Sequence, residues 1–86
     1  MFKVEWHPRT LDELTAIWIQ ADSSLRKTIT SAMHQFDLRL QSDPLGCGES
    51  REGGMRVFLL TPLGIHYRLE DDEATITVLR LWAFRT

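Results

Sequence analysis

Residues 46–57 read GCGESREGGMRV and hold four of the chain's five glycines, interleaved with Glu49, Ser50, Arg51, Glu52 and Arg56. A loop that folds close to a phosphate needs both residue types: glycine lets the backbone approach closely, and arginine offers a planar fork of donors that lysine cannot copy. The glycines alone predict less, a long connection crossing from one element to the next. Downstream of Pro44 every cation is an arginine: Arg51, Arg56, Arg68, Arg80 and Arg85. His66 and Arg68 stand two positions apart in an alternating segment, so both leave the same face of a strand, and imidazole is the side chain most often used as a general acid or base. Trp82 and Phe84 carry rings able to stack a base, an interaction worth about 1–3 kcal/mol. Cys47 has no histidine placed beside it, which makes it a poor nucleophile. His7, His34 and His66 lack ligand spacing, and we expect neither a metal nor a cofactor.

The elements that position these residues belong to one domain, residues 1–86. Hydrophobic content of 43% and charged content of 26% are those of a soluble globular chain. A net charge of −2 argues against a non-specific nucleic-acid binder, which would be strongly basic. No apolar run approaches the roughly 18 residues of a membrane span. MFKVEWHP at the N-terminus reads as a strand and not as a signal peptide. The single cysteine excludes an internal disulfide and suits a reducing compartment, and the expected location is the cytoplasm.

Phe2, Val4 and Trp6 alternate with polar residues, predicting a first strand that Pro8 stops. TLDE at 10–13 has the capping-box pattern, with Thr10 and Glu13 exchanging hydrogen bonds at a helix start near 8–11. Leu11, Leu14, Ile17, Trp18 and Ala21 form its stripe, with Trp6 and Trp18 expected in the core. Asp22, Ser23 or Ser24 caps a second helix, whose stripe runs Leu25, Ile29, Ala32, Met33, Phe36 and Leu40 before Asp43-Pro44 ends it. Three strands follow: Met55 to Leu60, a turn at 61–64, Ile65 to Leu69, a polar turn at 71–74, and Thr75 to Phe84. The last has a broken phase: Ile76 and Val78 share one face, Leu79 and Leu81 the other. Burial on both sides or a β-bulge explains that. In the second of these strands Tyr67 lies in phase with Ile65 and Leu69, so it reads as core with its hydroxyl tethered. The expected fold is α+β, in the order β-α-α-β-β-β. A small, mostly antiparallel four-stranded sheet carries two helices on one face and leaves the other open.

VEWHPRTLDELTAIW at 4–18, DPLGCGESREGGMRV at 43–57, PLGIHYRL at 62–69 and VLRLWAFR at 78–85, in that order, resemble the RelE/ParE superfamily of type II toxin–antitoxin toxins. The resemblance spans nearly the whole chain. It implies a toxin held inactive by a cognate antitoxin protein. One branch, RelE-like, implies a metal-independent endoribonuclease that cuts messenger RNA on the ribosome and so inhibits translation. There Arg56, Arg68 and Arg85 match basic residues that stabilise charge on phosphate, Glu49 or His66 acts as base or acid, and Arg51 and Trp82 contact RNA. The other, ParE-like, implies inhibition of DNA gyrase without catalysis. A third alternative is a module that retains only antitoxin binding. The first expects Arg56, Arg68 and Arg85 to converge on one open patch; the others expect them to scatter into surface pairs, as Arg56 would with Glu70 across strands.

Overall fold

The computed structural model describes residues 1–84. Strand β1 (Lys3–Trp6) leads into helix α1 (Pro8–Gln20) and helix α2 (Ser23–Ser42). Strand β2 (Glu49–Ser50) and a 3-10 turn at Glu52–Gly54 follow, then β3 (Met55–Leu60), β4 (Leu63–Leu69) and β5 (Thr75–Ala83). The strands lie in the order β1-β5-β4-β3-β2.

The sheet therefore has five strands where four were expected. The addition is β2, two residues that double back on β3 so that Glu49 faces Val57 and Ser50 faces Arg56. Glycines permit it: Gly48, Gly53 and Gly54 adopt φ of +72° to +76°, a region closed to most side chains. Mostly antiparallel is correct, with one exception. β1 runs parallel to β5, Lys3 opposite Thr75 and Trp6 opposite Val78.

The broken phase of the last strand is a β-bulge. His66 faces Arg80 but Tyr67 faces Val78, so Leu79 is the extra residue. The bulge returns Leu81 to the face of Ile76 and Val78, and all three are buried. On that face α2 presses Ile29, Ala32, Phe36 and Leu40 against Leu63, Ile65 and Tyr67. The Phe36 and Phe58 rings meet edge to face at 5.3 Å. Asp22 caps α2, its carboxylate accepting from the Leu25 amide at 2.8 Å.

The capping box at α1 does not form. His7 is the cap, its Nδ1 accepting from Arg9 N, with Pro8 preset at the first helical position. Thr10 is buried and donates to His7 O at 2.6 Å. Glu13 turns away to accept from Leu81 N at 3.0 Å and from Arg80 Nε at 2.9 Å. The reason lies in the sheet. β1 ends opposite Val78, so the Leu81 amide beyond it has no strand to bond to, and an ionised acceptor satisfies it more strongly than a neutral one. Trp18 is a second departure. It is 37% exposed, because α1 packs on the sheet through Thr10, Leu14, Ile17 and Ala21. Arg26 covers the Trp18 ring at 5.3 Å. Trp6 is half-buried and donates to Asp37 at 2.9 Å. Among the described residues no helix is long and apolar enough to cross a membrane.

Candidate functional site

The glycine-rich loop is held by two side chains from the sheet. Arg56 on β3 donates through Nη2 to the carbonyls of Leu45, Cys47 and Gly48, at 3.1, 3.3 and 3.4 Å. Tyr67 on β4, wholly buried, shares its one hydroxyl proton between Pro44 O at 2.7 Å and Cys47 O at 2.8 Å. These two residues face each other across the β3–β4 ladder and so project to the same side, the side the helices cover. The Arg56 Nε is buried and has no acceptor among the described residues. Cys47 is buried against them, its Sγ 3.8 Å from the Tyr67 hydroxyl.

Burial pushes the Tyr67 phenol up to about 12, with Cys47 adding to the shift and the Arg56 guanidinium opposing it. The neutral phenol is the form that the fold requires. Its contribution to stability is complete below the ordinary value of 10.0 and is lost as pH rises toward 12. Urea unfolding at pH 8, 10 and 11.5 is expected to show wild type losing stability across the upper interval more steeply than Tyr67→Phe. Parallel curves would remove this account.

The opposite face of the sheet carries a different set. His66 and Arg68 on β4 and Trp82 on β5 project there, as do Val57 and Leu59 on β3. The His66 and Trp82 rings meet edge to face at 4.9 Å. Gly64 lies beneath Trp82: a Cβ on it would stand 2.6 Å from the indole ring and 2.8 Å from Leu59 Cδ2. Glycine at that position is therefore what lets the ring lie flat on the strand. Leu59 is 52% exposed, and among the described residues no helix covers this face. Arg68 is paired with Glu70 at 2.7 Å, and Arg51 with Glu49 at 3.1 Å.

Arg56 and Arg68 thus stand on opposite faces of the sheet, and the expected convergence of the two does not occur. Arg56 opposes Tyr67 in the ladder, and Arg68 opposes Met55. Neither does Arg56 pair with Glu70, which Arg68 holds. Arg85 lies outside the described residues. His66, Arg68 and Trp82 do share the open face; Glu49 and Arg51 lie at its edge on and beside β2. Among the described residues no cluster of histidine, cysteine and acidic side chains could hold a metal ion.

Sequence reasoning missed two residues that shape the site. One is Glu13, whose capping-box spacing pointed elsewhere. The other is Gly64, whose signal was present: a lone glycine inside an alternating strand marks a close approach of another group.

No protein-family model matches the chain, and no curated protein matches it in sequence. Solved structures do match it in fold. One is a chromosomal ParDE toxin–antitoxin system from P. aeruginosa, at 20% identity and a TM-score of 0.76, covering 99% of this chain and 98% of that one. The RelBE2 toxin–antitoxin complex from Mycobacterium tuberculosis is 20% identical with a TM-score of 0.71, over 95% and 96% of the two chains. The isolated E. coli RelE toxin is 15% identical with a TM-score of 0.65, over 100% and 87%. At these identities the likeness is one of fold: the chain has the architecture found in ParE and RelE toxin structures.

Proposed function

We propose that this chain is the toxin component of a type II toxin–antitoxin pair, bound by a cognate antitoxin, and that it acts by docking on a protein rather than by cutting RNA. The observation that carries the second part is the placement of the arginines. A metal-free ribonuclease must gather cations around one phosphate. Here Arg56 is committed to loop carbonyls on the helix side, while Arg68, Arg51 and Arg80 each have a carboxylate partner. The open face instead presents Trp82, Leu59 and Val57, the composition of a protein-docking surface, with aromatic anchors and few free charges. The target that the ParE resemblance implies is DNA gyrase.

The ribonuclease reading keeps one support. His66, Arg68 and Trp82 lie on one accessible face, where a base could stack on Trp82 and His66 could move a proton. On that reading Arg68 exchanges Glu70 for a phosphate, and Glu49, Arg51 and Arg85 assist from the rim.

Induced expression separates the readings. We expect growth arrest, relieved by co-expressing the product of the adjacent gene, with messenger ends intact by primer extension and DNA supercoiling reduced. Arrest accompanied by cut messages would replace docking with ribonuclease action. Absence of arrest would leave only an antitoxin-binding module.

A further inference from the structure

Two shallow depressions adjoin at the end of the molecule where α1 meets α2 and β3 turns into β4. The first, about 480 Å³, is lined by Leu25, Pro62, Ala83 and Phe84. The second, about 450 Å³, lies beside it, lined by Lys27, Ser31 and Gln35 of α2 together with Thr61, the neighbour of Pro62. No aspartate or glutamate lines either one. The depression at β2 includes Glu49, and that at the β4–β5 turn includes Glu70 and Asp71. Leu25 is 39% exposed, and Lys27 places a cation in the lining of the second depression, on a chain whose net charge is −2.

From this we infer that the paired depressions seat a segment of the antitoxin, with an apolar side chain between Leu25 and Phe84 and an acidic residue directed at Lys27. The inference rests on the toxin–antitoxin reading above and adds to it a surface distinct from the open sheet face. Charge selects the occupant. An apolar anchor flanked by a carboxylate matches an apolar hollow beside a lysine, and such rim charges set approach and register. A second copy of this chain is a poorer match. Its own acidic stretch, Glu70 to Glu73, contains no large apolar side chain to fill the hollow. The sheet face fits less well too, because Arg68 and Arg51 there are already paired with carboxylates of their own chain.

The test uses the full chain and the purified product of the adjacent gene, with affinity read by titration calorimetry. Leu25→Glu places a carboxylate in the apolar hollow and is expected to weaken binding about 100-fold, the loss typical of a central anchor. Lys27→Glu is expected to weaken it about tenfold and to flatten its dependence on salt. Leu38→Glu, on another exposed face of α2, stays within about twofold. Circular dichroism confirms that each variant is folded, and a Leu25→Ala variant, expected to lose about tenfold, covers the case in which the charged one is not. Binding by wild type with all Leu25 and Lys27 variants unaffected would overturn the inference and leave the toxin–antitoxin reading standing. No binding by wild type would remove both. If sedimentation shows a wild-type dimer that Leu25→Glu dissociates while antitoxin affinity is unchanged, the surface belongs to a second copy and the inference fails.

Discussion

Replacing Arg56 by methionine is expected to lower the unfolding free energy by about 2–3 kcal/mol, because the carbonyls of Leu45, Cys47 and Gly48 lose the charged donor they share, and only Cys47 O keeps another, the Tyr67 hydroxyl. Methionine keeps much of the side chain's apolar bulk, so the loss reports hydrogen bonds more than packing. The figure is held down by the buried Nε, which is stripped of water without gaining an acceptor. A domain of this size has about 4–13 kcal/mol in total, so the change is a large share. It appears as a lower urea midpoint and as faster amide exchange at residues 45–51. Lysine at this position restores less than half, since a point charge cannot span the carbonyls as a planar fork does. The same variant also bears on mechanism. If Arg56→Met leaves stability untouched but abolishes toxicity, Arg56 is free to meet a substrate, and the ribonuclease reading gains the residue it lacks.

Gly48→Ala is the second large effect. The position combines φ +72° with close neighbours: an added Cβ would stand 2.6 Å from Val57 O and 2.8 Å from the Tyr67 hydroxyl. The left-handed backbone costs an alanine about 1–2 kcal/mol, and crowding against main chain costs about 1–3 more. We expect about 2–5 kcal/mol in all, with the loop displaced from the Tyr67 hydroxyl. Gly53 is the internal control. Its φ is also +72°, but nothing lies within 4 Å of its added Cβ. Gly53→Ala should therefore lose only the backbone part. Equal losses at the two sites, measured by thermal unfolding, would show that crowding at Gly48 contributes nothing.

Much of this arrangement can be read from residue order. The α2 stripe holds at Ile29, Ala32, Phe36 and Leu40 because three- and four-residue spacing over four turns has no strand alternative. β4 alternates cleanly, which places His66 and Arg68 on the outer face and buries Tyr67. Even the bulge is foreshadowed by the phase break at Leu79. What resists reading has physical causes. β3 is Met-Arg-Val-Phe-Leu-Leu, apolar on both faces, so its alternation has no phase and the side to which Arg56 points is undetermined until its partner strand is known. β2 is too short to carry a pattern, and only the left-handed glycines around it allow the pairing. Glu13 has the spacing of a cap, but an unpaired strand amide from the far end of the chain competes for its carboxylate and wins. Local signals cannot anticipate such a competitor. Trp18 shows the same limit on an apolar stripe: its breadth is visible, but not how much of it a single strand can cover.

The parallel pairing of β1 with β5 bears on how the molecule comes into being. Lys3 meets Thr75, so the first strand made waits for the last before it has a neighbour. The Glu13 contact with Leu81 waits equally long. Ladders that join the two ends of a chain slow the search for the native topology. Synthesis therefore delivers the helical hairpin and the β3–β4 ladder well before the sheet can close. A chain built in this way has no complete sheet until β5 has been made.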